Sequence, residues 1–440
     1  MLTTSSKLKH RLFDFDRYDR YIPFLGVLYI WLIPIDINVK GQFFVHDILV
    51  PFMGLLLIPT MFQKWGLFLR TPSIFFLLFI LLAGFLTVYR YHSLLDLYEF
   101  SIYLYVIIVF LFFYFFPLTR KQLIYYGIVI LLAMLLSFLL VYMPDPPVSM
   151  PSYEHSTISF LTTRFRFTFG HPNMLGSFFV LPITCLLLGI FRYSRTWSPV
   201  QLVLFSGVLI FSCLPLFFAV SRDMLLTIAV IFGWFLSHPQ LPYRKVAIPL
   251  LVVAFCLIFV IFYLTVIFPF FPVKDSFPYI NTDSYGMYMM NHIIYFRIVV
   301  VDAWSFVLGL GKSNVVERFG EFTDIAEMTK ILGQYNMAET VTARSIYHDA
   351  HNEYLNLITN YGVVATILLY FGIVTSPRLL NSSLNNNGIF IILVFLIVAI
   401  LCVSLWRDIL SKRWIWITLA IIISSANQFE KETNHAVNKV

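Results

Sequence analysis

Tyr347-His348-Asp349-Ala350-His351-Asn352-Glu353-Tyr354-Leu355-Asn356-Leu357-Ile358-Thr359-Asn360-Tyr361-Gly362 closes the one long polar segment of the chain and opens the hydrophobic run after it. Nowhere else do two histidines, an aspartate, a glutamate and three asparagines stand so close together at the edge of an apolar run. Working outward from this junction, the other apolar segments read as a scaffold that holds it at a bilayer surface.

The 440 residues are 59% hydrophobic and only 12% charged, with a mean hydropathy of +0.82. Soluble domains carry about a quarter charged residues. This is the composition of a polytopic membrane protein, whose spans need roughly 20 mostly apolar residues each. The 30 Lys and Arg exceed the 23 Asp and Glu modestly and are spread along the loops. They read as topology signal and anionic-lipid contact, not as a nucleic-acid surface. Cys185, Cys213, Cys256 and Cys402 all lie inside apolar runs, so no disulfide framework or zinc knuckle is implied. The N-terminus is polar up to Arg20 without a cleavable signal pattern, so the first apolar segment is expected to remain as a span.

Apolar runs near 21–39, 43–62, 72–89, 97–116, 123–143, 173–191, 199–220, 223–237, 246–268, 352–375, 389–406 and 413–427 predict an all-α protein of about twelve transmembrane helices. The run at 223–237 is short, and 199–237 also reads as one broken hairpin. The expected order is a cytoplasmic tail over 1–20, nine spans over 21–268, and a large extracytoplasmic loop over 269–351. Three spans over 352–427 and a cytoplasmic tail over 428–440 follow. One side then holds 16 Lys and Arg against 14, and setting aside the six in the long loop leaves 16 against 8. Long loops obey the positive-inside rule poorly, so the termini are expected to be cytoplasmic. Arg407, Lys412 and Arg413 fall on the wrong side of this count.

Two outward segments exceed a turn. In 144–172, four early prolines forbid regular helix before Arg164-Phe165-Arg166-Phe167-Thr168-Phe169-Gly170-His171-Pro172-Asn173. The second, 269–351, is far longer than an ordinary connection, and such loops are functional or disordered. Within it, 287–308 reads as a mostly apolar helix on or dipping into the membrane, and Gly309-Leu310-Gly311-Lys312-Ser313-Asn314 as a glycine-permitted turn.

Several residues can carry chemistry. Arg222, between apolar runs, is either a snorkelling or Asp223-paired helix-end arginine or a bidentate phosphate ligand. Arg297 shares the 287–308 helix with one other charge, Asp302, on a different face, and either touches lipid headgroups or holds an anion. Arg164 and Arg166 alternate with phenylalanine, as in an extended stretch with both arginines on one side. His171 or Asn173 reads as a helix cap, with Pro172 in the first turn. His348 and His351 are three apart, which is weak evidence for a metal, and the His-Glu-x-x-His spacing of zinc proteases is missing. His351 and Asn352 open a span, where the helix N-terminus favours neutral imidazole and draws anions. A neutral histidine beside a bound anion is a suitable general base, although a capping role fits the same position.

Taken together, the segments resemble the O-antigen ligase/polymerase family of bacterial membrane glycosyltransferases. The matching pieces occur in order: Arg166…Gly170-His171-Pro172-Asn173-Met174-Leu175-Gly176, then Ser221-Arg222, then Arg297…Trp304…Gly309-Leu310-Gly311…Asn314, and last Ala350-His351-Asn352-Glu353-Tyr354-Leu355…Tyr361-Gly362. Asp223 departs from the small residue usual after Ser-Arg. Gly362 lacks the second glycine that often follows. The resemblance implies transfer of a glycan from undecaprenyl diphosphate to an acceptor hydroxyl at the outer face of the bacterial cytoplasmic membrane, with no metal or cofactor. It further implies His351 as catalytic base and Arg222, Arg297 and Arg166 on the diphosphate, with Asn352, His348 and Asn173 supporting. Expected partners are the lipid-linked donor, a glycan or lipid acceptor, the bilayer and other polysaccharide-assembly membrane proteins. Surface-polysaccharide polymerase is the leading expectation. A ligase acting on lipid A-core or another final acceptor is the alternative within the family, and a lipid-linked oligosaccharide flippase the alternative outside it.

Overall fold

In a computed structural model of the chain, the described residues are 22–35, 38–40, 43–63, 73–90, 93–141, 165–169, 171–219, 221, 223–238, 283–301, 303–319, 321, 351–380 and 387–437. The expected span at 246–268, most of the 269–351 loop and the N-terminal tail lie outside them, whereas the expected C-terminal tail from 428 is helical as far as Val437. Every other apolar run is helical: α1 (Ile22–Leu32), α2 (Val50–Gln63), α3 (Ser73–Tyr89), α4 (Leu94–Phe115), α5 (Arg120–Val141), α6 (Pro172–Phe178), α7 (Val180–Ser194), α8 (Pro199–Ser212), α9 (Leu214–Ala219) and α10 (Met224–Leu236). The later helices are α11 (Asp283–Val300), α12 (Ala303–Leu308), α13 (Lys312–Phe319), α14 (Glu353–Thr375), α15 (Asn387–Val403) and α16 (Arg413–Val437). Among the described residues the only strands are β1 (Asn38–Lys40) and β2 (Phe43–Phe44), an antiparallel ribbon between α1 and a short 3-10 turn, Val45–Leu49.

Among the described residues, six helical segments are long and apolar enough to cross a membrane: Val45–Gln63, Leu94–Phe115, Arg120–Val141, Pro172–Ser194, Pro199–Ala219 and Glu353–Leu379. Phe52, Phe62, Leu81, Phe85, Leu132, Val203 and Leu204 stand exposed on these and neighbouring helices. So much outward apolar surface suits lipid and not water. The chain is a membrane-embedded helical protein.

Local chemistry sets the helix ends. Ser93 caps α4 and Ser198 closes a capping box with Gln201 at α8. His171 is the N-cap of α6: its Nδ1 accepts the Asn173 N–H at 3.1 Å, and Pro172 fills the first turn. The expected broken hairpin over 199–237 is three helices. The first break, at Cys213, comes two residues before Pro215, whose ring cannot continue a helix. The expected single helix 287–308 ends at Val300 and restarts at Ala303.

The core is built around α16. Residues 413–426 are buried on every side, as expected of a helix at the centre of a bundle. Trp416 lies edge-on to Phe76 of α3 and Phe110 of α4, at 5.4 and 6.0 Å between ring centroids. Around it α5 meets α7 and α10 meets α15 at glycines. A methyl on Gly127 would stand 2.8 Å from the Leu186 nitrogen, and one on Gly233 2.8 Å from the Ile392 Cα. Small residues let helices approach where lipid supplies no hydrophobic drive.

Contacts between helix ends show that the bundle alternates in direction. At one end the starts of α6 and α10 meet each other and the turn after α15, and the head of α14 meets the end of α15. At the other, His238 after α10 meets Ser194 at the end of α7, and Gly388 at the start of α15 packs on Phe191 and Ser237.

Candidate functional site

The head of α14 is the best-anchored helix start among the described residues. Asn352 is its cap: Oδ1 accepts the Leu355 N–H at 3.0 Å, while Nδ2 donates to the Leu405 carbonyl at 2.9 Å. Glu353 is fully buried. Its Oε1 accepts the Tyr103 hydroxyl at 2.7 Å, its Oε2 accepts the Leu410 N–H at 3.0 Å, and its own N–H donates to the Ser404 carbonyl at 2.9 Å. Just before this rigid pair, half-buried His351 has φ +47°. A non-glycine residue in the left-handed region costs roughly 1–2 kcal/mol and persists where its surroundings dictate it. The His292 Nε2 lies 3.5 Å from the His351 carbonyl oxygen, which brings α11 against this junction.

This geometry corrects one expectation. The α14 N-terminus is not an open anion cradle, because the Glu353 N–H is taken by Ser404 and the Leu355 N–H by Asn352. Charge for a bound anion falls to side chains. Arg297 is half-buried on α11, on the helix that carries His292, with Ile294, Ile298 and Val299 of that helix buried.

The turn 404–412 between α15 and α16 joins α14 to the next segment. From it Arg407 brings its Nε to 3.9 Å from Asp223 Oδ1. Asp223 starts α10, where the Ser221 hydroxyl accepts its N–H at 3.3 Å. Across from Ser221 lies Gly176 of α6, where a Cβ would stand 2.3 Å from the serine Oγ. Glycine is required there by that close approach. Contacts thus run without a gap from α6, headed by His171 and Asn173, through Ser221 and Asp223 and the 404–412 turn, to Asn352, His351 and α11. Arg166 is half-buried between buried Phe165 and the rest of its turn, with the Phe165 N–H on the Phe218 carbonyl at 3.0 Å. Arg222, His348, Arg164, Gly170 and Asp302 lie outside the described residues.

The Gly309-Leu310-Gly311 and Tyr361-Gly362 pieces meet each other. Gly362 has φ +81° inside α14, which breaks the helical ladder and frees the Thr359 and Asn360 carbonyls. The Leu310 N–H takes the first at 2.6 Å and the Gly311 N–H the second at 3.1 Å. Gly309 and Gly311 have φ +78° and +85°. The ends of the flanking helices are held by charges opposite in sign to their dipole ends. Arg90 donates to the Leu308 carbonyl at 3.1 Å, and to the Gly309 carbonyl, at the negative end of α12. Asp96 accepts the Ser313 N–H at 2.9 Å, and the Ser313 hydroxyl, at the positive start of α13. Lys312 stands 3.9 Å from Glu99. Arg90, Asp96, Glu99, Lys312, Asn360 and Tyr361 surround a narrow cleft at this junction.

Two of the three cations that violated the charge count, Arg407 and Arg413, face acids. Arg413 is buried, and its Nε and Nη2 meet the two Asp47 carboxylate oxygens at 2.7 and 2.5 Å. Arg407 faces Asp223 as described. Sequence reasoning missed Tyr103, His292, Asp96, Arg407 and the Asp47–Arg413 pair. Their signal was present: Asp47, Asp96 and Glu99 are acids at or inside apolar runs, and each such charge needs a partner.

No protein-family model matches the chain, and no curated protein sequence is significantly similar to it.

Proposed function

We propose that the chain is a glycosyltransferase of the O-antigen ligase/polymerase type. It has twelve spans and cytoplasmic termini, and moves an undecaprenyl-diphosphate-linked glycan to an acceptor hydroxyl at the outer face of a bacterial cytoplasmic membrane. The observation that supports this reading is the run of contacts linking described parts of four separated sequence signatures, with a strained histidine among them. The acceptor oxygen attacks the anomeric carbon and gives its proton to His351. The bond from that carbon to the diphosphate oxygen breaks, and undecaprenyl diphosphate leaves with the electron pair. Arg297 and Arg222, with Arg166 in support, take the charge of the leaving group. Fixed cations in a site shielded from water act strongly on charge as it develops. Direct displacement inverts the anomeric configuration. Polymerase is the preferred activity.

Purified protein with undecaprenyl-diphosphate-linked repeat units and EDTA tests this, with product length read on a gel. Wild type is expected to give a ladder. His351→Ala should lower kcat by about 10²–10⁴-fold, the usual contribution of a positioned base, and Arg297→Ala should also lose activity. Consumption of donor only with a separate acceptor added would make the enzyme a ligase. Retained configuration would refute direct displacement. Absence of turnover under every condition would refute the enzyme and favour a flippase.

A further inference from the structure

We propose, resting on the glycosyltransferase reading for what His351 does, that Glu353 is the positioning residue of the site. Its buried carboxylate ties the head of α14 to α4 and to the 404–412 turn, and this fixes where His351 stands. A carboxylate with no exposure inside a membrane bundle is expensive and marks function by default. Both oxygens of this one are used, by Tyr103 at 2.7 Å and by Leu410 at 3.0 Å. Tyr103 is itself held edge-on by Phe79 and Tyr361, at 6.0 and 5.7 Å between ring centroids. The backbone of Glu353 and the side chain of Asn352 add two further ties to the turn, at Ser404 and Leu405. His351 therefore enters a helix whose next two residues are fixed by four long-range bonds, and its left-handed backbone is the conformation those bonds leave to it. The same turn carries Arg407 to Asp223, the neighbour of Arg222 in the chain. One carboxylate thus ties the entry of His351 to the turn that faces Asp223.

A residue that acts only by position should be replaceable by one that makes the same bonds. Glutamine can: its carbonyl can accept the Leu410 N–H, and its amide can donate to the Tyr103 hydroxyl oxygen. The test compares wild type, Glu353→Ala, Glu353→Gln and Tyr103→Phe by amide hydrogen exchange at 352–356 and 404–411, and by kcat and KM. Glu353→Ala is expected to speed exchange in both segments by about tenfold. It should also lower kcat by about 100-fold, the effect of a misplacement near 1 Å, with KM for the donor within about twofold. Glu353→Gln is expected to restore both readouts to nearly wild type. Tyr103→Phe, which removes one tie, should move both in the direction of the alanine variant by less, and it decides the matter if Glu353→Ala does not fold. Native exchange in Glu353→Ala or, failing that, in Tyr103→Phe would overturn the proposal. So would a glutamine variant as inactive as alanine but with native exchange, because the carboxylate charge would then be the agent. If wild type has no turnover, the glycosyltransferase reading fails, and exchange alone decides whether Glu353 positions the head of α14.

Discussion

At Gly362 a single dihedral couples two distant signatures. A Cβ there would lie 2.2 Å from the Val307 carbonyl oxygen, and one at Gly309 would lie 2.5 Å from the Gly362 nitrogen. Neither neighbour is a side chain that can turn away. Gly362→Ala is expected to cost about 2–5 kcal/mol, from the left-handed backbone and the clash together. Thermal unfolding in detergent measures it, and an unchanged Tm would mean that the helix break is dispensable. The two pieces were legible in the sequence as separate signatures, and Gly309-Gly311 as a turn. Their contact was not, because the demand for carbonyl partners arises only once Gly362 breaks α14. His351 was likewise legible as the entry to a span. Its backbone strain was not, because the Ser404, Leu405 and Leu410 groups that hold the next two residues are apolar or small in sequence and act through their main chain.

At the scale of the element, the apolar runs located the helices well because hydrophobic length is the strongest signal in such a chain. What the runs could not tell was which helix is central. α16 looks like a terminal span with a misplaced arginine, yet over 413–426 it is buried all round and its Arg413 pairs with Asp47. The Arg413 carbon Cζ also lies 5.3 Å from the centre of the Phe44 ring. Arg413→Met alone should destabilise the bundle by about 3–5 kcal/mol, because it leaves a buried carboxylate without its cation. Combining it with Asp47→Leu should recover most of that loss. A double-mutant cycle on Tm checks this, and additive losses would show that the pair does not act as a unit.

Across the whole molecule the two ends differ in chemistry. One gathers the site. The other, at the ends of α7 and α10, holds buried His238, whose Nδ1 meets the Trp234 carbonyl at 3.0 Å and whose Nε2 meets the Ser194 hydroxyl at 2.7 Å. Burial, reinforced by the nearby Arg195 charge, lowers its pKa from the ordinary 6.5. The unfolded chain therefore takes up this proton first as pH falls. The stability that neutral His238 contributes is present above 6.5 and is lost as pH drops from there toward the lowered value. Tm should accordingly decline on moderate acidification, and His238→Gln should flatten that part of the profile. An identical decline in the variant would assign it to other groups.

The position of α16 also constrains how the molecule is made. Helices emerge from synthesis in chain order, and this one comes after all the others described. The earlier helices must enter the bilayer around a slot that is still empty, with Asp47 of the first hairpin waiting for an arginine that is synthesised late. Final closure of the bundle, and with it the anchoring of α14 by the turn ahead of α16, is then a single late event of biogenesis. A nascent chain halted before Arg413 should carry inserted helices and no assembled site.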